Sequence, residues 1–120
     1  MKIAIATVEK DLSKNINQTF GRAPYFAIYN SEDNSVEFLD NEAINAPGGA
    51  GIKASQFLVD KGIDAIIGFR LGENALKVLR GADVELFAAN SDKSIKENID
   101  LLLENQLESL VDIHSGYHHS

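Results

Sequence analysis

Three short stretches of this 120-residue chain carry residue types and spacings suited to capturing an anion. Residues 46–51 (APGGAG) run directly into an expected helix. Glycines let backbone amides approach a ligand, and a helix N-terminus offers unpaired N–H groups and partial positive charge. Gly48, Gly49 and Gly51 are therefore candidate contacts, unless Pro47-Gly48-Gly49 only turns the chain. Residues 68–75 (GFRLGENA) pass from a strand end to a helix start, the region where ligands collect in open α/β sheets. There Arg70 can supply a cation while Gly72 and Asn74 present amides. The plainer reading is that Gly72 or Asn74 caps the helix beside a solvated arginine. Residues 20–24 (FGRAP) set Arg22 between structure breakers ahead of an apolar run. Gly21, Arg22 and Pro24 either shape a turn or form one wall of a rim shared with the other two loops.

The three histidines, His114, His118 and His119, all fall at the C-terminal end. Imidazole binds zinc, copper, nickel or iron, and His114 and His118 are spaced i, i+4. Gly116 opposes a helix there, so residues 113–120 (IHSGYHHS) read as a flexible tail whose metal affinity is compositional. A truncated purification tag is another source of such a tail. Catalytic constellations are missing: no cysteine, no Gly-x-Ser-x-Gly elbow and no Walker lysine motif occurs. A histidine triad would need the tail to fold back on the core. A two-metal nuclease would need carboxylates on the sheet, and residues 2–8 contain none. Glu73, Asp83 and Glu97 fall at expected helix starts or turns, where capping accounts for them. The chain is expected not to be an enzyme.

The elements that must position these loops are legible from periodicity. Residues 2–8 and 63–69 are nearly continuous apolar runs, as expected for strands covered on both faces. Residues 25–30 and 36–40, joined through Asp33-Asn34, read as an antiparallel hairpin. Residues 84–88 make a further strand. Helices are expected over 52–61, with Gly62 beyond the end, and over 73–80, followed by Gly81. A third starts at Ser94, where Ser94 and Glu97 have capping-box spacing, and carries Ile95, Ile99, Leu102, Leu103 and Gln106 on one face. The order β, β-hairpin, α, β, α, β, α implies an α/β fold: a mixed five-stranded sheet with an antiparallel hairpin edge and flanking helices. Residues 1–112 read as one domain.

Composition bounds the partners. Hydrophobic residues at 44% and charged ones at 24% argue for a folded globular chain. No apolar run approaches the ~20 residues that span a bilayer. The opening MKIAIATV reads as a first strand rather than a signal peptide. Eleven cations scattered among eighteen acids give a net charge of −7. That excludes the phosphate-neutralising basic surface that nucleic-acid binding needs, and docking on anionic lipid with it. The cytoplasm is the simplest compartment.

Taken in order, TFGRAPYFAIY, GGAGIKASQFLVDKGIDAII and LGENALKVL resemble the dinitrogenase iron–molybdenum cofactor biosynthesis family, the small NifX/NafY-like domains. The likeness runs from Met1 to about Leu110. It implies a ribonuclease H-like fold and non-catalytic binding of an iron–sulfur or iron–molybdenum cluster, or its precursor. Delivery between cluster-donor and acceptor proteins is implied as well. Separately, the chain is expected to be a monomer. Phe20, Gly21 and Arg22 match the family's Phe-Gly-Arg; Gly48, Gly49 and Gly51 match its glycine-rich loop; Gly72, Asn74 and Ala75 match its Gly-x-Asn-Ala turn. Many relatives carry histidine where this chain has Thr19, and proline where it has Glu73. Two other functions stay open at this point. One is a module binding a small anion or a protein without a metal cluster; the other, ranked last, is a ribonuclease H-like hydrolase.

Overall fold

The computed structural model describes residues 1–17 and 19–111. The tail read over 113–120, with His114, His118 and His119, lies outside them. The first strand, β1 (Lys2–Thr7), is buried from Ile3 onward, as its unbroken apolar run requires. On one side it pairs antiparallel with β2 (Tyr25–Asn30), which pairs antiparallel with β3 (Ser35–Asp40). On the other side it pairs parallel with β4 (Ala65–Gly68), which pairs parallel with β5 (Glu85–Ala88). The mixed sheet and its hairpin edge are therefore as expected.

The strand count is not. A sixth strand, β6 (Ser109–Val111), adds antiparallel to β5, giving a six-stranded sheet of order β3-β2-β1-β4-β5-β6. Three residues hold too little of a period-2 pattern to be recognised. The residues just before it were expected to continue a helical face through Gln106. Instead the helix ends at Leu103, Asn105 takes a left-handed φ of 59°, and the chain turns back along β5. Leu103 is left 44% exposed.

Alternation along β1 divides the core. Ala4 and Ala6 join Phe26, Ile66, Leu86 and the inner faces of α1 (Ala50–Asp60) and α2 (Glu73–Gly81), chiefly Leu58 and Leu79. Ile3 and Ile5 point the other way, against Ile67 and the Ile95, Ile99 and Leu102 stripe of α3 (Ile95–Leu103). Helices thus cover both faces of the sheet. At the end of α1, Gly62 adopts φ 76° after the helix, as its type suggests. At the end of α2 the left-handed position falls on Asp83, and Gly81 stays helical. The capping box of α3 forms: Glu97 N donates to Ser94 Oγ at 3.1 Å, and Ser94 N donates to Glu97 Oε1 at 2.9 Å.

Register decides where the loops go. Thr7 lies opposite Tyr25, Tyr25 opposite Asp40, and Gly68 opposite Ala88. The segment entering β2, the one leaving β3 and the one leaving β4 therefore all lie at the edge where the parallel strands end.

Candidate functional site

The loop before β2 is fastened to the start of α1 by an approach only glycine permits. A Cβ on Gly21 would lie 2.6 Å from Gly51 N and 2.7 Å from the carbonyl carbon of Ala50. Phe20 turns inward, its ring 5.3 Å from that of Phe26. Asn41, 2% exposed, holds the same loop from behind. Its Nδ2 donates to the carbonyls of Gly21 at 2.9 Å and Ala23 at 2.8 Å, while its Oδ1 accepts from Ala43 N at 2.9 Å. Arg22 extends the lacing, with Nη1 donating to the carbonyls of Ile44 at 2.9 Å and Ala46 at 2.8 Å. Together these bonds fix residues 20–24, residues 41–46 and the first turn of α1 as one block.

The starts of α1 and α2 face each other across a groove of about 430 Å³, lined by Gly49–Ile52 and Gly72–Ala75. A Cβ on Gly51 would sit 3.8 Å from Ala75 Cβ, an ordinary packing distance. Gly49 reaches φ 66°, a left-handed conformation that suits glycine, and so turns the chain into α1. The helices then begin with Lys53 N bonding Gly49 O at 3.0 Å and Leu76 N bonding Gly72 O at 3.1 Å. The N–H groups of Ala50, Gly51 and Ile52, and of Glu73, Asn74 and Ala75, precede the first intrahelical donors. Neither helix start has a side-chain cap, whereas α3 closes its own with Ser94. Two helix dipoles therefore present their positive ends at one groove. Glu73 is the acid in the first turn of α2; its Oε2 is 3.9 Å from Arg80 Nη1, both side chains being largely exposed.

Of the residues singled out from sequence, Gly49, Gly51, Gly72 and Asn74 line the groove, and Gly21 abuts the helix start beside it. Gly48 stands in open space, where an added Cβ would meet nothing. Phe20 belongs to the core periphery and Arg22 to the loop lacing. Arg70 lines a neighbouring pocket of about 150 Å³ with Leu71, Glu73, Leu76, Leu86 and Leu110. Sequence reasoning passed over Ala50, Ile52 and Glu73 as groove residues. It began α1 at residue 52, two residues late, which hid the first-turn amides; it assigned Glu73 to capping alone. Asn41 does carry a signal in the sequence, an Asn directly after a strand.

Among the described residues no three His, Cys, Asp or Glu side chains converge as a metal-holding group. The groove offers backbone N–H donors and, at Glu73, one carboxylate. The N–H groups fit the anionic sulfide or oxide face of a cluster, which can accept their hydrogen bonds. Together these groups do not make a cage around a bare ion.

Comparison with known proteins agrees with this architecture. Residues 1–105 match the family described as dinitrogenase iron-molybdenum cofactor. The chain is 32% identical over 111 residues to an uncharacterised protein of Methanocaldococcus jannaschii, covering 90% of each. It superposes on the NMR structure of a candidate NifB protein from Thermotoga with a TM-score of 0.78 and 37% identity, over 92% of this chain and 94% of that one. The apo form of the orange protein from Desulfovibrio gigas shares the fold at a TM-score of 0.86 and 22% identity, over 92% of both chains. The chain belongs to the dinitrogenase iron-molybdenum cofactor family.

Proposed function

We propose that this chain is a non-catalytic carrier for an iron–sulfur or iron–molybdenum cluster, or its precursor, in cofactor assembly or delivery. The cargo rests against the groove between the starts of α1 and α2. One observation carries the reading: two uncapped helix N-termini share a single groove, so their first-turn N–H groups offer a concave, positively polarised surface to a polyanion. Family membership supplies the class of cargo. Gly49, Gly51, Gly72 and Asn74 are the contacts; Gly21 and Arg22 hold the block behind them, and Arg70 adds a cation nearby. In this reading the protein works as a cytoplasmic, NifX-like monomer with a ribonuclease H-like core, exchanging cargo with donor and acceptor proteins of cofactor maturation.

Anaerobic reconstitution with iron and sulfide, with and without molybdate, tests the proposal on full-length protein and on a version ending at Val111. Iron retained by the shortened protein, with amide shifts at residues 50–52 and 73–75, is the expected result. Retention that disappears with the tail would move the site to His114, His118 and His119. A second reading rests on the same donors: backbone N–H groups accept any oxyanion, so the chain would be a module for a small anion or a protein without a metal cluster. Phosphate or molybdate shifting those amides while iron sulfide does not would favour it.

A further inference from the structure

We infer that Glu73 selects what the groove accepts, favouring guests that expose a metal with an open coordination position and turning away bare oxyanions. The inference rests on the cargo-site reading above and adds its selectivity. Among the residues lining the groove, Glu73 alone has an ionisable side chain. It is the first residue of α2 and lines the groove, so its side chain springs from the turn whose N–H groups would receive an anion. Without a guest, a negative charge there complements the helix dipole. Against a guest made only of negative oxygen atoms it is repulsive, costing roughly fivefold in affinity for one unit charge about 4 Å away across bulk water, and more where the dielectric is lower.

A guest that mixes sulfide with under-coordinated iron meets a different partner. Carboxylate oxygen is an established ligand type for non-haem iron(II), so Glu73 can close on the metal while the amides hold the anionic atoms. The side chain has the freedom to do this. Its ion pair with Arg80 is long, at 3.9 Å, with the two side chains 70% and 52% exposed. Such a pair is too weak to hold the carboxylate in place. Glu73 also lines the adjoining pocket together with Arg70.

The test uses full-length wild type, Glu73→Gln and Glu73→Asp at neutral pH, each checked for an unchanged melting temperature. Each is titrated with molybdate, and separately loaded anaerobically with iron(II) and sulfide. The readouts are amide shifts at residues 50–52 and 73–75 and the iron retained after desalting. Molybdate should bind roughly fivefold tighter or more to Glu73→Gln, the scale of one removed like charge across water, while iron–sulfide retention falls by a similar factor. Glu73→Asp should keep the wild-type order. Any result in which the two guests do not respond in opposite directions overturns the selecting role of Glu73 and leaves the groove standing. If neither guest moves those amides in any of the three proteins, the cargo site itself fails and this inference falls with it.

Discussion

Two glycines in neighbouring loops make opposite predictions, because one is wedged and the other is free. Gly21→Ala would drive a methyl group into the backbone of Ala50 and Gly51, where something must shift. The expected loss is about 1–3 kcal/mol, read as a lower urea midpoint at unchanged slope. Gly48→Ala meets nothing, so it should be neutral or stabilise by ~0.4–1 kcal/mol through the unfolded chain. Glu97 makes a pH prediction. The hydrogen bonds from the Ser94 backbone and side chain hold its carboxyl below the usual glutamate value. A group whose folded pKa is depressed stabilises above its unfolded pKa, and that stabilisation is lost as pH falls through the folded value. The melting temperature of wild type should therefore drop more between neutral pH and pH ~3 than that of Glu97→Gln. Parallel curves for the two proteins would show that the Glu97 charge contributes nothing to stability in solution.

At the scale of elements, α2 is built to accept proline at its first position. Gly72 precedes it in an extended conformation, φ −69° and ψ 162°, the backbone favoured before proline. Glu73→Pro removes an N–H that has no intrahelical partner and fixes a φ suited to a helix start. It should raise stability by about 0.4–1 kcal/mol, measured by thermal melting. A loss of more than that would mean the Glu73 N–H already has a partner. The elements were also where sequence was most legible. Ser94, Glu97 and the Ile95, Ile99, Leu102 spacing announced α3, and the apolar runs announced β1 and β4. What escaped were boundaries and short pieces. Gly49 and Gly51 look like a loop because glycine is a poor helix former, yet the helix begins between them at Ala50. β6 escaped because its three residues are specified by pairing with β5 rather than by their own pattern.

For the whole molecule, charge and groove pull in different directions. The net charge of −7 repels an anionic guest at long range, while the helix starts attract it at contact. Added salt shrinks the screening length from ~30 Å at 0.01 M to about 8 Å at physiological ionic strength. Association of molybdate should therefore speed up as salt rises over that range, measurable by stopped flow. A rate that falls would place a local positive field in control instead. The convergence of the three loops was only partly legible in sequence. Their glycines and arginines could be named, but their common edge follows from strand register, which is a property of pairing across distant parts of the chain.

A surface made of main-chain donors has a consequence for how this protein can vary and be probed. Outside Glu73 and the left-handed Gly49, alanine replacement at the groove leaves each N–H in place, so a conventional scan would pass over the proposed recognition surface almost silently. Homologous chains could exchange many side chains there and keep the same guest. Changes that delete a peptide proton, such as proline or a backbone ester, reach the main-chain contacts directly.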